Sequence, residues 1–417
     1  MKKALVFAGG GSKGAYQIGA WKALEELGER FQIATGTSIG SINAAFYVQH
    51  DFAAAEEMWR TIRADDIMTH GINMDKSLER IFSQREQILP FIKTYMSSKG
   101  ADVKPFHSAL QKYYDADKFF GSDIDFALVT VKFPSFTPVE KHKSDFTDRE
   151  NVWQWLAASG ACFPVFPVMR IGGEEYVDGG YYDNIPVAPA FKLGADEVTV
   201  IDLKPEKNHQ GYYHHPRVRY VKPSRDLGTF MNFDRKALDF SMQLGYLDVM
   251  KSYEAFLGQR FAFSLPPEEH GLLREYAAVF VSILTLAEAR FDFSKSVKMQ
   301  RVNSLPGCTT ILSELLEEDS PTETQFFLAG VEQLMEILSY DPLKVYPLKD
   351  ILYELKIQVD GMYPMLEYDV ATAFSYVKKF VSSHVPARSP ALKTLEDERL
   401  LLLYTSVIRA LQRLELR

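Results

Sequence analysis

The sequence predicts an α/β fold with a largely parallel sheet, followed by a helical C-terminal region. Three observations carry that prediction. The unbroken apolar run at residues 4–8 has the texture of a strand covered on both faces. Strand and helix patterns then alternate twice within the first fifty or so residues. Beyond about residue 260 glycine thins out and long helical patterns dominate.

Each element has its own warrant. Residues 4–8 form the first strand and break at Gly9-Gly10-Gly11. Residues 15–27 read as a helix, because Ile18, Trp21, Leu24 and Leu27 recur on one side and Gly28 is placed to stop it. Residues 31–35 return as a short strand. Ile39–Val48 reads as a second helix with Ile39, Ile42 and Phe46 on one side. Residues 51–114 look mainly helical, with polar breaks. Residues 125–133 form a strand, and Thr147 and Glu150 are spaced as a capping box for a helix running through Ala158. Residues 174–177 form a short strand ending at Asp178-Gly179-Gly180, and residues 197–203 an apolar one. Residues 207–216, rich in His and Tyr, read as a loop. In the helical region, residues 326–338 and 395–414 carry long helical patterns. There is no internal repeat and no low-complexity tract.

A chain of 417 residues exceeds one ordinary small domain, so two or three are expected. With 46% hydrophobic and 24% charged residues it has the composition of a soluble globular protein with a large core. A formal net charge of −8 argues against a nucleic-acid binder, yet leaves room for a local basic patch that meets an anionic headgroup. Cys162 and Cys308 are the only cysteines, too few for a disulfide framework and in keeping with a reducing compartment. Lys2-Lys3 before an apolar run resembles the start of a signal peptide, but residues 4–8 are too few for its core. No stretch approaches the roughly 20 apolar residues that span a bilayer. The expectation is a soluble, cytoplasmic protein whose contact with membrane is peripheral.

Two glycine-bearing turns carry the chemistry. Gly36-Thr37-Ser38-Ile39-Gly40 has the G-x-S-x-G form of a nucleophile elbow and falls between a predicted strand and a predicted helix. A serine hydroxyl is a poor nucleophile until it is exposed and given a base. The tight turn exposes it, Gly36 and Gly40 let strand and helix approach, and the helix N-terminus points its dipole at the reacting centre. The bland alternative is a plain glycine-rich turn. The earlier turn, Gly9-Gly10-Gly11-Ser12-Lys13-Gly14, satisfies G-x-G-x-x-G through Gly9, Gly11 and Gly14. A dinucleotide site would also want a carboxylate at the end of the next strand, and Ala34-Thr35-Gly36-Thr37-Ser38 has none. A P-loop fails because Ala15 follows Gly14. What remains is a loop whose amides can face an anion, with Gly10 and Gly11 as candidate oxyanion donors. Lys13 orients this loop, meets a phosphate, or is a solvated surface lysine.

None of the nine histidines stands in a recognisable motif. Asp178 is the better candidate for a base, since it ends a strand and is followed by Gly179 and Gly180, where backbone can pass close by. An ordinary Asp-Gly turn is the competing reading.

Taken in order, Gly-Gly-Gly-x-Lys-Gly, Gly-Thr-Ser-x-Gly and Asp-Gly-Gly resemble the patatin-like phospholipase family. Ala157-Ala158-Ser159 through Phe166-Pro167, Tyr176-Val177-Asp178 and Asp183-Asn184-Ile185-Pro186 agree with the family's stretch around its catalytic aspartate. Pro223-Ser224-Arg225-Asp226-Leu227-Gly228 and Leu244-Gly245-Tyr246-Leu247-Asp248 resemble the continuation in bacterial members. The likeness covers about residues 1–205. It implies a three-layer α/β/α catalytic domain there, and the change of texture near residue 260 sets off an extension or linker at 206–260 and a helical domain of unknown role at 261–417. The likeness also implies a Ser38–Asp178 dyad without histidine, an oxyanion hole at Gly10 and Gly11, and Lys13 in the place of the family's basic residue. The implied activity is hydrolysis of phospholipids or other fatty acyl esters, with no metal or organic cofactor. A lipid transacylase and a non-catalytic lipid-binding protein are the alternatives, and a dinucleotide-binding oxidoreductase is the distant one.

Overall fold

Strand β1 (Lys3–Phe7) forms where the apolar run predicts a strand, and Ala4, Leu5, Val6 and Phe7 are all wholly buried. Successive strand side chains point to opposite faces, so burial of all four means that the sheet is covered on both sides. The structure is a computed structural model that describes residues 1–67, 103–204, 211–290, 316, 321–360, 370–385 and 398–414. It divides into two compact units, Met1–Ser252 and Tyr253–Arg417. Of the stretch 206–260, the residues up to Ser252 therefore belong to the first unit.

After β1 the first unit continues through α1 (Ala15–Glu26), β2 (Ile33–Thr37), α2 (Ile39–Val48), α3 (Phe52–Thr61), α4 (Lys104–Tyr113) and α5 (Ala116–Gly121). There follow β3 (Asp125–Phe133), β4 (Thr137–His142), α6 (Val152–Ser159), β5 (Met169–Ile171) and β6 (Glu174–Asp178). The unit closes with α7 (Val187–Lys192), β7 (Glu197–Ile201), β8 (Val218–Val221) and α8 (Arg235–Ser252). Strands β8, β7, β1, β2 and β3 are neighbours in that order and all run parallel. β4 and β6 pair antiparallel with β3, and β5 pairs antiparallel with β6. Because β1 pairs with β2 on one side and β7 on the other, the sheet reverses its order at β1. Open α/β sheets place ligands at the carboxyl ends of strands beside such a reversal.

Differences from the sequence pattern have local causes. β2 starts and ends two residues later than expected because Thr35 and Thr37, though polar, are buried strand residues. Their hydroxyls donate to Pro186 O and Asp183 O, both at 2.8 Å. The capping box at Thr147 and Glu150 does not form. A 3-10 turn at Arg149–Asn151 intervenes, and α6 begins where Val152 meets the core. Gly28 does end α1, with Glu29 N–H returning to Leu24 O at 2.9 Å. Of the helical reading at 51–114, residues 68–102 lie outside the described part, as do 207–210 and 395–397 of the later elements.

The second unit holds β9 (Ala262–Ser264), α9 (His270–Arg290), α10 (Glu323–Ile337), β10 (Val345–Pro347), α11 (Leu348–Asp360), α12 (Val370–His384) and α13 (Glu398–Arg413). Contrary to the sequence reading, Pro267–Ala287 is long and apolar enough to cross a membrane by length and composition. One face of it packs inward, however. Leu273, Tyr276, Ala277, Phe280, Ile283, Leu284 and Ala287 are buried in the core of this unit, while Arg274, Glu275, Val279 and Leu286 are exposed. The three- and four-residue spacing of the buried set is that of a helix packed on a core. Buried Glu332 anchors the loop before β9, accepting the N–H groups of Gln259, Arg260 and Phe261 at 2.7, 2.9 and 3.1 Å.

Helices α1 and α8 touch backbone to backbone. A Cβ at Gly19 would lie 1.7 Å from Met242 O, and one at Gly245 would lie 2.0 Å from Tyr16 O. Beside the contact, buried Asp248 accepts Tyr16 Oη at 3.0 Å and pairs with Lys251 at 2.9 Å. Gly19→Ala and Gly245→Ala must each push the helices apart, at a cost of about 1–3 kcal/mol. Urea unfolding should show this loss for each variant. Unchanged midpoints would refute so close an approach.

Candidate active site

Register on β3 decides which residues meet. β2 runs parallel to β3 and ends with Thr37 opposite Val129. β6 runs antiparallel and ends with Asp178 opposite Thr130. The two strands thus finish head to head on adjacent residues of β3, and Ser38, the next residue after β2, arrives beside Asp178. Ser38 Oγ donates to Asp178 Oδ2 at 2.7 Å across 140 residues of chain.

Ser38 has φ 55° and ψ −130°, backbone that an L-residue adopts only under constraint. The constraint is the strand-to-helix turn. A Cβ at Gly40 would fall 2.2 Å from Phe7 O, so only glycine lets α2 start this close to β1. Gly36, in β2, lies two residues ahead of Ser38. Both polar backbone groups of Ser38 are held: its N–H donates to Ser159 Oγ at 2.8 Å, and its carbonyl accepts from Ser41 Oγ at 2.7 Å. The side chain is half-buried and faces the cavity described below.

Asp178 is 6% exposed. Burial pushes its carboxyl up to about 6, against the pull of hydrogen bonds from Ser38 and from Gly180 N–H, which donates to Oδ1 at 2.7 Å. Gly179 and Gly180 open the turn that follows. A carboxylate in this state can take a proton near neutral pH and is already aimed at the serine.

The first glycine loop lies at the end of β1, at the same sheet edge. Gly9 N–H donates to Asn184 O at 3.0 Å, Ser12 N–H to Phe230 O at 2.7 Å and Lys13 N–H to Gly10 O at 3.3 Å. Among the described residues the N–H groups of Gly10 and Gly11 have no partner, and both glycines line the cavity. Gly11, at φ 58°, holds the turn. Lys13 is half-buried on the cavity wall, with no ammonium partner among the described residues. Gly14 accepts Asn43 Nδ2 at 3.1 Å.

The cavity measures about 780 Å³ and runs from Ser38, Asp178 and the glycine loop past Ile42, Phe46, Met58, Leu110, Leu156 and Phe166. A wall of this kind suits an acyl chain. Among the described residues no histidine lines it, and no group of three or more His, Cys, Asp or Glu side chains is arranged to hold a metal. Cys162 also lines it as a free thiol, pushed up by burial and by the charge of Asp178. Cys308 lies outside the described residues.

Sequence reasoning missed the side chains that hold the two turns. Buried Gln17 donates to Ala8 O at 2.8 Å and accepts from Asn43 Nδ2 at 2.7 Å, while Trp59 Nε1 donates to Asn43 Oδ1 at 3.0 Å. Asn184 Nδ2 donates to Gly9 O at 3.1 Å. Ser159 fixes the backbone of Ser38. The available signal was a polar residue set in an apolar stretch: Gln17, Asn43 and Ser159 all interrupt one.

A family model of patatin-like phospholipases matches residues 5–191. Lysophospholipase NTE1 of Phaeosphaeria nodorum is 31% identical over 199 residues, which make up 48% of this chain and 12% of that protein. Lysophospholipase NTE1 of Coccidioides immitis is 29% identical over 305 residues, 73% of this chain and 15% of that protein. The matches thus take in under a sixth of the length of these relatives. Among solved structures, VipD from Legionella pneumophila aligns over 99% of this chain and 90% of its own, with 14% identity and a TM-score of 0.40. Residues 5–191 thus carry a patatin-like phospholipase domain, as the family model delimits it.

Proposed function

We propose that the protein is a serine acyl hydrolase, of the phospholipase A or lysophospholipase type, that cleaves fatty acyl esters of lipids. One observation carries the reading: Ser38 Oγ donates at 2.7 Å to a buried carboxylate at the end of a mainly apolar cavity, beside two amides that have no partner among the described residues. In the proposed reaction Ser38 Oγ attacks the acyl carbonyl carbon while its proton passes to Asp178 Oδ2. The carbonyl oxygen becomes an oxyanion and is met by the Gly10 and Gly11 N–H groups, each worth roughly 3 kcal/mol of barrier. Collapse of the intermediate breaks the ester C–O bond, and the leaving alkoxide takes the proton from Asp178. Water then attacks the acyl-enzyme, losing a proton to the same carboxylate, and the fatty acid leaves as Ser38 regains its hydrogen. Lys13, on the cavity wall, is the group proposed to face the substrate's phosphate.

A lipid alcohol in place of water would make the enzyme a transacylase. The largely apolar wall admits such an acceptor, so products from a labelled acyl donor, with and without an acceptor alcohol, separate the two. Free fatty acid as the main product in both arms supports the hydrolase. The compartment we propose is the cytoplasm, with peripheral contact at lipid surfaces, and cell fractionation tests it.

Ser38→Ala should lower turnover of a lysophospholipid by at least about a thousandfold and abolish labelling by a fluorophosphonate probe, with the melting curve retained. Retained labelling would move the nucleophile elsewhere and sink the assignment.

Asp178→Asn should lose roughly a thousandfold in kcat. It should also gain stability, with a definite pH dependence. The folded-state pKa of about 6 lies above the ordinary 3.8, so ionisation is disfavoured in the folded chain. The penalty grows as pH rises from 3.8 and is full above about 6, where it approaches about 3 kcal/mol. The variant should therefore melt higher than the parent above about pH 7 and no higher below about pH 4. Equal melting temperatures at the higher pH would mean that the carboxylate is well solvated.

In the parent enzyme, kcat/KM should rise with pH through a limb near 6, as Asp178 ionises. A flat profile from about pH 5 to 8 would exclude this carboxylate as the base.

A further inference from the structure

Helix α6 ends in a buried hydroxyl that links the Ser38 backbone to β3, the strand against which Asp178 is registered. Ser159 is 0% exposed. Its Oγ accepts the Ser38 N–H at 2.8 Å and donates to Val129 O at 2.7 Å. Val129 is the β3 residue opposite Thr37, and its neighbour Thr130 pairs with Asp178 and donates from Oγ1 to Val177 O at 2.8 Å. One oxygen therefore ties the backbone of Ser38 to the strand against which Asp178 is registered. From these contacts we propose that Ser159 is a positioning residue, which holds Ser38 in its left-handed conformation and so sets the distance from Ser38 Oγ to Asp178. This rests on the reading of Ser38 and Asp178 as the reacting pair.

Alternatives for the two contacts are poor. Without the Ser159 hydroxyl, Ser38 N–H loses the acceptor that holds it, Val129 O loses a donor, and the turn at Ser38 loses a clamp on backbone that is strained. Relaxation of φ at Ser38 swings its Oγ away from the carboxylate. A displacement of about 1 Å at a reacting atom is enough to lose roughly a hundredfold in rate. Substrate binding along the apolar wall does not involve Ser159, which does not line the cavity.

The pH profile reports the same event. The Ser38 hydrogen bond holds the Asp178 carboxyl lower than burial alone would. Loss of that bond moves the acidic limb to higher pH. Two neighbouring titratable groups feel the charge of Asp178: the Cys162 thiol, from the segment after α6, and the Tyr181 phenol, from the turn after β6. Burial and the charge of Asp178 keep both neutral across the range, so neither contributes a limb of its own.

The test is S159A, with S159C as a graded second variant that keeps volume and a weak donor and acceptor. The full chain is assayed with a lysophospholipid, and fluorophosphonate labelling of Ser38 is timed for each protein. For S159A we expect kcat to fall about 30- to 100-fold with KM within about threefold of the parent. Labelling should slow in parallel and the acidic limb should move up by about half a pH unit or more, with S159C between the two. If S159A does not fold, S159C is read in the same assays. Parent-like kcat, labelling and limb position in whichever variants fold would overturn the proposal. Failure of the underlying reading looks different, since the parent itself would then not label at Ser38.

Discussion

The register of β3 is the constraint on which the site depends. Two segments separated by 140 residues acquire their contact because one strand runs up β3 and the other runs down it, and both stop at Val129–Thr130. A sixth parallel strand could not do this, because its carboxyl end would point the same way as that of β2 and lie beside it at the sheet spacing. The antiparallel direction of β6 turns side-by-side strands into an end-to-end meeting. The parallel half of the sheet supplies the other parts. It places the glycine loop after β1 and the elbow after β2 at one edge, where the strand order reverses.

The site carries unfavourable terms, and its surroundings hold them in place. Ser38 sits in a sparsely populated backbone region, at a cost of roughly 1–3 kcal/mol. Asp178 is buried, and among the described residues no cation pairs it. Around them, nearly every neighbouring polar group is satisfied. The Gln17–Asn43–Trp59 chain fixes the glycine loop to α2 and α3, and Asn184 exchanges bonds with Gly9. A network of this kind is rigid because each member is committed at low dielectric. The amides of Gly10 and Gly11 stand out against it as groups without a partner among the described residues.

Local structure was legible in the sequence wherever periodicity or close approach dictates residue type. β1, α1 and α2 follow their apolar spacing, and the elbow is visible because only glycine fits at Gly40. Partnership was not legible. Thr35 and Thr37 look like a strand end until Pro186 and Asp183 are seen to accept their hydroxyls. Thr147 and Glu150 have the spacing of a cap, yet the burial of Val152 decides where α6 begins. The apolar content of α9 passes a membrane test because a core helix and a spanning helix differ in what surrounds them, and composition does not record surroundings. Asp178 was nameable by resemblance, but its place beside Ser38 is a consequence of strand direction, which no local pattern encodes.

The proposed base, an aspartate without histidine, raises the question of what takes the imidazole's place. An imidazole titrates near 6.5 without help, whereas a carboxyl ordinarily titrates near 3.8 and is too weak a base to draw a proton from serine at neutral pH. Burial closes that gap. It moves Asp178 to about 6, close to the range an imidazole occupies in water. Orientation is the second task, and in a three-residue arrangement another side chain holds the imidazole. Here Gly180 N–H takes that part, binding Oδ1 at 2.7 Å and leaving Oδ2 toward Ser38. The glycines after Asp178 thus have a chemical reason beyond the turn: they bring a backbone donor onto one carboxylate oxygen while the other faces the serine. In the proposed reaction a buried acid and one amide do the work of two side chains, and the apolar cavity that receives the acyl chain is also what makes the acid basic enough.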